Sequence, residues 1–196
     1  EKQKELPELT YTTEKPIFRF APSPSGPMHV GHVYYLLLNA EYKKKYNGNL
    51  VLRIEDTNSE NIDPDAYNQL EEDGMWATNG KVDTVVIQSD RIEIYYNYAI
   101  QAITKGYAYV CTCSSERFKL LVDKGQPCPC RSNTPEDNLK KWNNMFTTYQ
   151  PGEAVLRIKT DLKHRNPAVR EWPAFRVNDS EHPRQGKKYR VWPLMN

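Results

Sequence analysis

The chain has 196 residues, with 27 Lys and Arg against 25 Asp and Glu, a formal charge of +2, 38% hydrophobic residues and a pI near 8.3. That length suits one domain, or one domain with a compact insertion, around a real core, and the mildly basic balance neither demands nor excludes nucleic acid, so any RNA contact must come from a local patch. No run of eighteen apolar residues and no charged-then-apolar leader occurs, which excludes a helical membrane span and leads us to expect a cytoplasmic protein.

Residues 1–16 form a polar extension rich in Lys and Glu, expected to be loosely held. Ile17-Phe-Arg-Phe-Ala21 reads as a short buried strand, Pro22–Pro27 as a rigid loop, and Val30–Tyr46 as a helix with apolar positions at Val33, Leu37 and Leu38. A helix starting near Met28 or His29 turns unpaired backbone N–H groups and the positive end of its dipole toward whatever sits over the loop, and an anion such as a nucleotide phosphate fits there. His29 and His32, three residues apart, share one side of the first turn, and a triphosphate is their natural common ligand. Gly31 is expected where backbone passes close to that ligand. The alternative is two surface histidines flanking a helix start.

Asn47-Gly48-Asn49 ends that helix, Leu50–Ile54 reads as a second strand, and Asp63–Trp76 as a second helix with Pro64 in its first turn. A third strand is expected over Val82–Gln88 and a third helix over Arg91–Lys105, with Ile92, Tyr95, Tyr96, Ala99, Ile100 and Ile103 on its inner face. Strand and helix in alternation predict an α/β fold with a parallel sheet, whose ligands collect at the carboxyl ends of the strands. Arg19 and Glu55 sit at two such ends.

From Tyr107 the alternation stops, and Val155–Lys159 and Ala174–Val177 are the expected strands of a second module. All four cysteines lie there as Cys111-Thr-Cys113 and Cys128-Pro-Cys130, separated by fourteen residues. Two close pairs of thiolates suit a closed tetrahedral zinc site of structural kind. Two disulfides or reduced core thiols are the alternatives; a cytoplasmic chain and the narrow window argue against both.

Three segments, in order and spacing, resemble the class I aminoacyl-tRNA synthetases, in particular their glutamyl members of archaeal type: Arg19-Phe-Ala-Pro-Ser-Pro-Ser-Gly-Pro-Met-His-Val-Gly-His32, Leu52-Arg-Ile-Glu-Asp-Thr-Asn58, and Tyr189-Arg-Val-Trp-Pro-Leu-Met-Asn196. Glutaminyl members carry a Pro-Pro-Glu-Pro-Asn run after the first arginine, where this chain has Ala21-Pro-Ser-Pro-Ser25. The resemblance implies a Rossmann-like core whose first half is residues 17–106, an inserted module over 107–187 that carries zinc and holds the tRNA acceptor end, and re-entry into the core over 188–196. It further implies ATP-dependent formation of glutamyl-adenylate and transfer of the glutamyl group to the tRNA 3' end, with magnesium accompanying ATP. His29 and His32 would act catalytically and, with Gly31, bind ATP. Arg19 would bind the side-chain carboxylate of glutamate, Ala21 and Ser23 would make backbone or hydroxyl contacts to the amino acid, and Glu55 would receive its ammonium, while Tyr189, Trp192 and Asn196 would line the pocket. A structural alternative pairs Arg19 with Glu55 or Asp56, and another makes Val191-Trp-Pro-Leu-Met a buried strand.

The family's Lys-Met-Ser-Lys-Ser-like second ATP signature and its anticodon domain do not occur in these residues, so the chain is expected to be part of a longer enzyme and inactive alone. Lys140, Lys141, Lys159, Lys163, Arg165, Arg170, Arg184, Lys187 and Lys188 give the second module a local basic excess for RNA phosphates. Rival readings are a glutamyl transferase that modifies a tRNA base, a nucleotidyltransferase of a small cofactor, and a zinc-stabilised RNA-binding module without catalysis.

Overall fold

The computed structural model describes residues 6–194. Packing divides the chain into two compact units that meet in sequence between Asp90 and Arg91.

In the first unit β1 (Ile17–Phe20), α1 (Val30–Tyr46), β2 (Asn49–Ile54), α2 (Ala66–Thr78) and β3 (Thr84–Ile87) follow in order, and the strands form a parallel sheet β1-β2-β3 in which Phe20 is opposite Leu52 and Ile54 opposite Ile87. Alternation along β2 buries Leu50, Leu52 and Ile54 and leaves Val51 and Arg53 half-buried on the other face. Leu50 and Leu52 pack with Phe20, Leu36, Ala40 and Val82, and Ile54 with Tyr67 and Leu70, and each large side chain so buried contributes about 1.5–3 kcal/mol. The expected inner face of α1 is corrected here: Leu36 and Ala40 are buried, Val33 and Leu38 only partly so, and Leu37 is exposed. Leu36-Leu37-Leu38 presents leucine in three directions, so the apolar pattern leaves the helix phase open.

Asn47, left-handed at φ 50°, ends α1 by donating its N–H to Lys43 O, and Lys43, Lys44 and Lys45 occupy the negative end of the dipole. The described part of the extension is not loose. Lys45 Nζ donates to Leu6 O at 2.6 Å, Tyr42 Oη to Pro7 O at 3.2 Å, and Leu9 N to Tyr46 Oη at 2.8 Å, so the segment is fastened to the last turns of α1. At Gly48 the chain passes so close to this segment that an added Cβ would lie 2.3 Å from Pro16 O.

The second unit holds α3 (Ile92–Thr104), β4 (Ala108–Cys111), α4 (Ser115–Asp123), α5 (Pro135–Thr147), β5 (Val155–Ile158), β6 (Pro173–Val177) and β7 (Val191–Pro193). Its sheet is antiparallel in the order β4-β5-β6-β7. Val191–Pro193, expected in the parallel core, is the edge strand of this sheet, because Val177 and Phe175 pair with Val191 and Pro193. The third helix packs here as well: Ala99 and Ile103 join Val110, Trp142, Met145, Leu156 and Phe175, and Tyr96 Oη donates to Val191 O at 2.6 Å. Ile100, expected inward, is 42% exposed. Thr134 caps α5 by accepting from Asp137 N with Pro135 in the first turn, and buried Asn138 accepts from Val110 N at 3.0 Å, securing the edge of β4. No helix among the described residues is long and apolar enough to cross a membrane.

Candidate functional site

In the first unit the site residues gather past the carboxyl ends of β1 and β2. The proline-rich loop is tied down by backbone bonds, Glu55 N to Pro22 O at 2.9 Å and Asp63 N to Pro24 O at 2.8 Å, so Ala21 and Ser23 sit half-buried on a fixed strap. His29 is the N-cap of α1, extended at φ −103° and ψ 170°, and its Nδ1 accepts from Gly31 N at 3.1 Å. With Nδ1 so used, the neutral ring carries its proton on Nε2. His29 and His32 stack with ring centroids 3.7 Å apart and 26° between planes, and His32 meets the ring of Phe20 edge-on at 5.9 Å. Burial first, and the neighbouring His29 second, hold the His32 pKa below the usual value, which keeps its imidazole neutral at neutral pH; its Nδ1 is buried with no hydrogen-bond partner. Gly31 has a local reason to be glycine: a Cβ there would lie 3.0 Å from Cε1 and 3.1 Å from Nδ1 of His29. The three residues of His-x-Gly-His thus hold one another in place at a helix start.

Arg19, on β1, is exposed, and among the described residues it makes no hydrogen bond or ion pair. Both acids that might have neutralised it are engaged elsewhere. Glu55, 5% exposed and just past the end of β2, is paired with Arg53 two residues back. Asp56, fully buried, accepts from Tyr67 Oη at 2.8 Å, Ser89 N at 2.8 Å and Ser89 Oγ at 2.7 Å, which pins the end of β2 to the segment after β3. Arg53 was not singled out from sequence; its signal is the Arg-x-Glu spacing, which puts both side chains on one side of an extended chain.

In the second unit Tyr189 is half-buried against Tyr96 and Trp192, each ring 6.1 Å away. Trp192 is 1% exposed, stacked on His182 at 4.8 Å, with its Nε1 donating to Tyr189 O at 3.2 Å. Asn196 lies outside the described residues.

The four cysteines converge: Cys111 ends β4, Cys113 precedes α4, Cys128 caps the tight turn at 129–132 and Cys130 lies within it. All are free thiols, and their sulfurs lie within 4.8 Å of one another, with Cys111–Cys128 at 3.8 Å and Cys113–Cys130 at 3.9 Å. A tetrahedron with zinc–sulfur bonds of about 2.3 Å has sulfur–sulfur edges of about 3.8 Å, so the donor set fits such an ion. The Cys128 thiol is drawn down to about 5, chiefly by its hydrogen bond with Cys111, with the Tyr109 hydroxyl and the N–H groups of Cys130 and Arg131 adding to this against the opposing effect of burial. Cys111, facing that thiolate, is pushed up. Tyr109, Arg131 and Glu171 around the cluster escaped the sequence reading, since nothing local marks them as its neighbours.

The family described as tRNA synthetases class I (E and Q), catalytic domain, matches residues 17–196. The chain belongs to this class I synthetase family. Curated relatives named "Glutamate--tRNA ligase" are 53% identical in Methanosphaera stadtmanae, 50% in Methanobrevibacter smithii and 50% in Methanocaldococcus jannaschii, each match covering 100% of this chain and 35% of the relative. The chain thus spans about a third of the length of these synthetases. Among solved structures, a glutamate tRNA ligase from Elizabethkingia meningosepticum in complex with its amino acid aligns with a TM-score of 0.59 over 83% of this chain and 38% of that one, at 23% identity, and shares the fold. A glutamate-tRNA synthetase from Elizabethkingia anophelis aligns with a TM-score of 0.52 over 74% of this chain and 33% of that one, at 28% identity.

Proposed function

We propose that the protein carrying this chain ligates L-glutamate to tRNA at the expense of ATP in the cytoplasm, and that this chain supplies the amino-acid-selecting and first ATP-binding parts of its catalytic domain. The observation that carries the reading is Arg19, exposed and unpaired among the described residues at the end of β1, while Glu55 and Asp56 are committed to other partners. A guanidinium in that state binds a carboxylate through two parallel hydrogen bonds.

In the first step an α-carboxylate oxygen of glutamate attacks the α-phosphorus of ATP; the new O–P bond forms as the bond to pyrophosphate breaks. In the second a terminal ribose hydroxyl of tRNA attacks the acyl carbon, its proton is lost and AMP leaves. No protein nucleophile is needed, so the residues act by positioning and by meeting negative charge. The start of α1, with His29 and neutral His32 as donors, faces the phosphates; Glu55, its charge shared with Arg53, receives the ammonium; Ala21 and Ser23 contact the amino acid through backbone or hydroxyl. The family resemblance also assigns Tyr189, Trp192 and Asn196 to glutamate; Trp192, 1% exposed and bonded through Nε1 to Tyr189 O, serves by supporting Tyr189. Magnesium travels with ATP as part of the substrate. Cys111, Cys113, Cys128 and Cys130 would hold a structural zinc ion, which would steady the second unit and take no part in the reaction. That unit, with exposed Lys163, Arg165, Arg184, Lys187 and Lys188, receives the tRNA acceptor end.

Calorimetry with a non-hydrolysable glutamyl-adenylate analogue and its glutaminyl counterpart, on the full-length protein and its Arg19→Ala variant, tests the assignment. Preference for the glutamyl compound that vanishes in the variant is expected. Preference for the glutaminyl compound, or binding of neither, overturns it.

A further inference from the structure

The connection from β5 to β6, residues 159–172, carries Lys163 and Arg165 on an exposed tip and is held at its base by an interlock of Thr160 with Glu171. Glu171 N donates to Thr160 Oγ1 at 2.7 Å, Thr160 N donates to Glu171 Oε1 at 2.9 Å, and Thr160 Oγ1 donates to Val169 O at 2.7 Å. Glu171 is an unusual choice for this post. It is fully buried and ion-paired with Arg131, and its φ is +49°, a backbone conformation that a residue other than glycine rarely adopts.

The residues that hold Glu171 lead back to the cysteines. Arg131, next to Cys130 in the tight turn, donates from Nε to Glu171 Oε1 at 3.1 Å and from Nη2 to Thr160 O at 3.3 Å. Arg157 donates to Glu171 O at 3.1 Å and lies 3.4 Å over the ring of Phe118, which packs with the cysteines. Tyr109, fully buried two residues before Cys111, has its hydroxyl 3.5 Å from Cys128 Sγ and also interacts with the Glu171 carboxylate.

We infer that Glu171, through Arg131 and Tyr109, is a positioning residue by which a metal ion held on the four cysteines fixes the basic β5–β6 connection. This rests on the metal reading given above. An ion that draws Cys128 and Cys130 into a tetrahedron also fixes the turn bearing Arg131, and hence the guanidinium to which Thr160 and Glu171 are bonded. A metal-bound Cys128 sulfur is a better acceptor for the Tyr109 hydroxyl, and outer partners of this kind orient ligands and tune affinity. The cluster therefore sets the posture of a cationic loop as well as stapling its own turn.

The test uses the intact protein, with metal content measured by mass spectrometry and amide exchange followed in peptides covering 159–172 and, for reference, α5. Native metal-loaded protein, chelated protein, Arg131→Met and Tyr109→Phe are compared. Chelation, and Arg131→Met at full metal content, are expected to speed exchange at Thr160 and its neighbours at least about tenfold while α5 stays protected. Tyr109→Phe is expected to weaken metal affinity about 10–100-fold in chelator competition. Unchanged exchange in the connection after verified metal loss, or in metal-loaded Arg131→Met, overturns the inference alone. A native protein that neither contains nor takes up metal overturns the metal reading together with it. Should Tyr109→Phe fail to fold, the half-exposed Arg131 variant decides the matter.

Discussion

Among the described residues Arg19 has no partner and is exposed, so that a carboxylate can reach it, and its replacement separates charge from geometry. Arg19→Lys keeps the charge but loses the fork, so it is expected to retain weak activity with poorer discrimination of glutamate from glutamine. Arg19→Ala should lower glutamate kcat/KM by about 100-fold or more in steady-state charging assays, the scale of a lost buried charge pair near 3 kcal/mol. Gly31→Ala tests a different point, because its methyl group would press on the His29 ring from 3.0 Å. The ring must tilt off its stack with His32, so we expect ATP-dependent turnover to fall at least tenfold with little change in Tm, and little further loss when His29→Ala is added. His32 also gives a sign for pH. Its folded pKa lies below the usual 6.5, so the unfolded chain takes up the proton first; stability is whole above about pH 6.5 and declines as pH falls toward the folded value. Thermal melts between about pH 7.5 and 5.5 should show a larger loss in the native protein than in His32→Gln.

Among elements, α1 shows which signals a sequence states openly. Its bounds, Val30–Tyr46, follow from the loop before it and Asn47-Gly48 after it, because caps and breakers are local. Its buried stripe is a tertiary choice, and three leucines in a row left that choice to Gly74 and Leu52, which Leu36 meets. The strand β7 was harder to place, since antiparallel partnership with β6 is settled by residues more than ten positions away. Gly48 belongs to this scale as well: it lets β2 begin beside the extension, with Asn49 N donating to Pro16 O at 2.9 Å. A methyl group there meets a backbone carbonyl that cannot rotate away, so Gly48→Ala should cost about 2 kcal/mol or more, read as a lowered denaturation midpoint, while Asn47→Gly should be neutral or stabilising at its left-handed φ.

For the molecule as a whole, the parallel sheet, the convergence of four cysteines and the helix-start site were legible, because each is written in spacing: alternation of strands and helices, paired Cys-x-Cys, His-x-Gly-His. What was not legible depends on distant residues meeting. The commitment of Glu55 to Arg53 and of Asp56 to Ser89, the allegiance of α3 to the second unit and the seat of Glu171 among Arg131, Thr160 and Arg157 all arise from packing. Chelation of the intact protein should lower the melting temperature of the second unit more than that of the first, seen as a split calorimetric transition, since only the second holds the cysteines. The break at Asp90 also bears on biosynthesis. A ribosome adding roughly 5–20 residues per second needs on the order of ten seconds to make the stretch from Arg91 to Asn196. Throughout that interval the nascent first unit already holds β1, β2 and β3 and can begin to bury the apolar face they share, whereas β6 must wait for β7 before the two can pair.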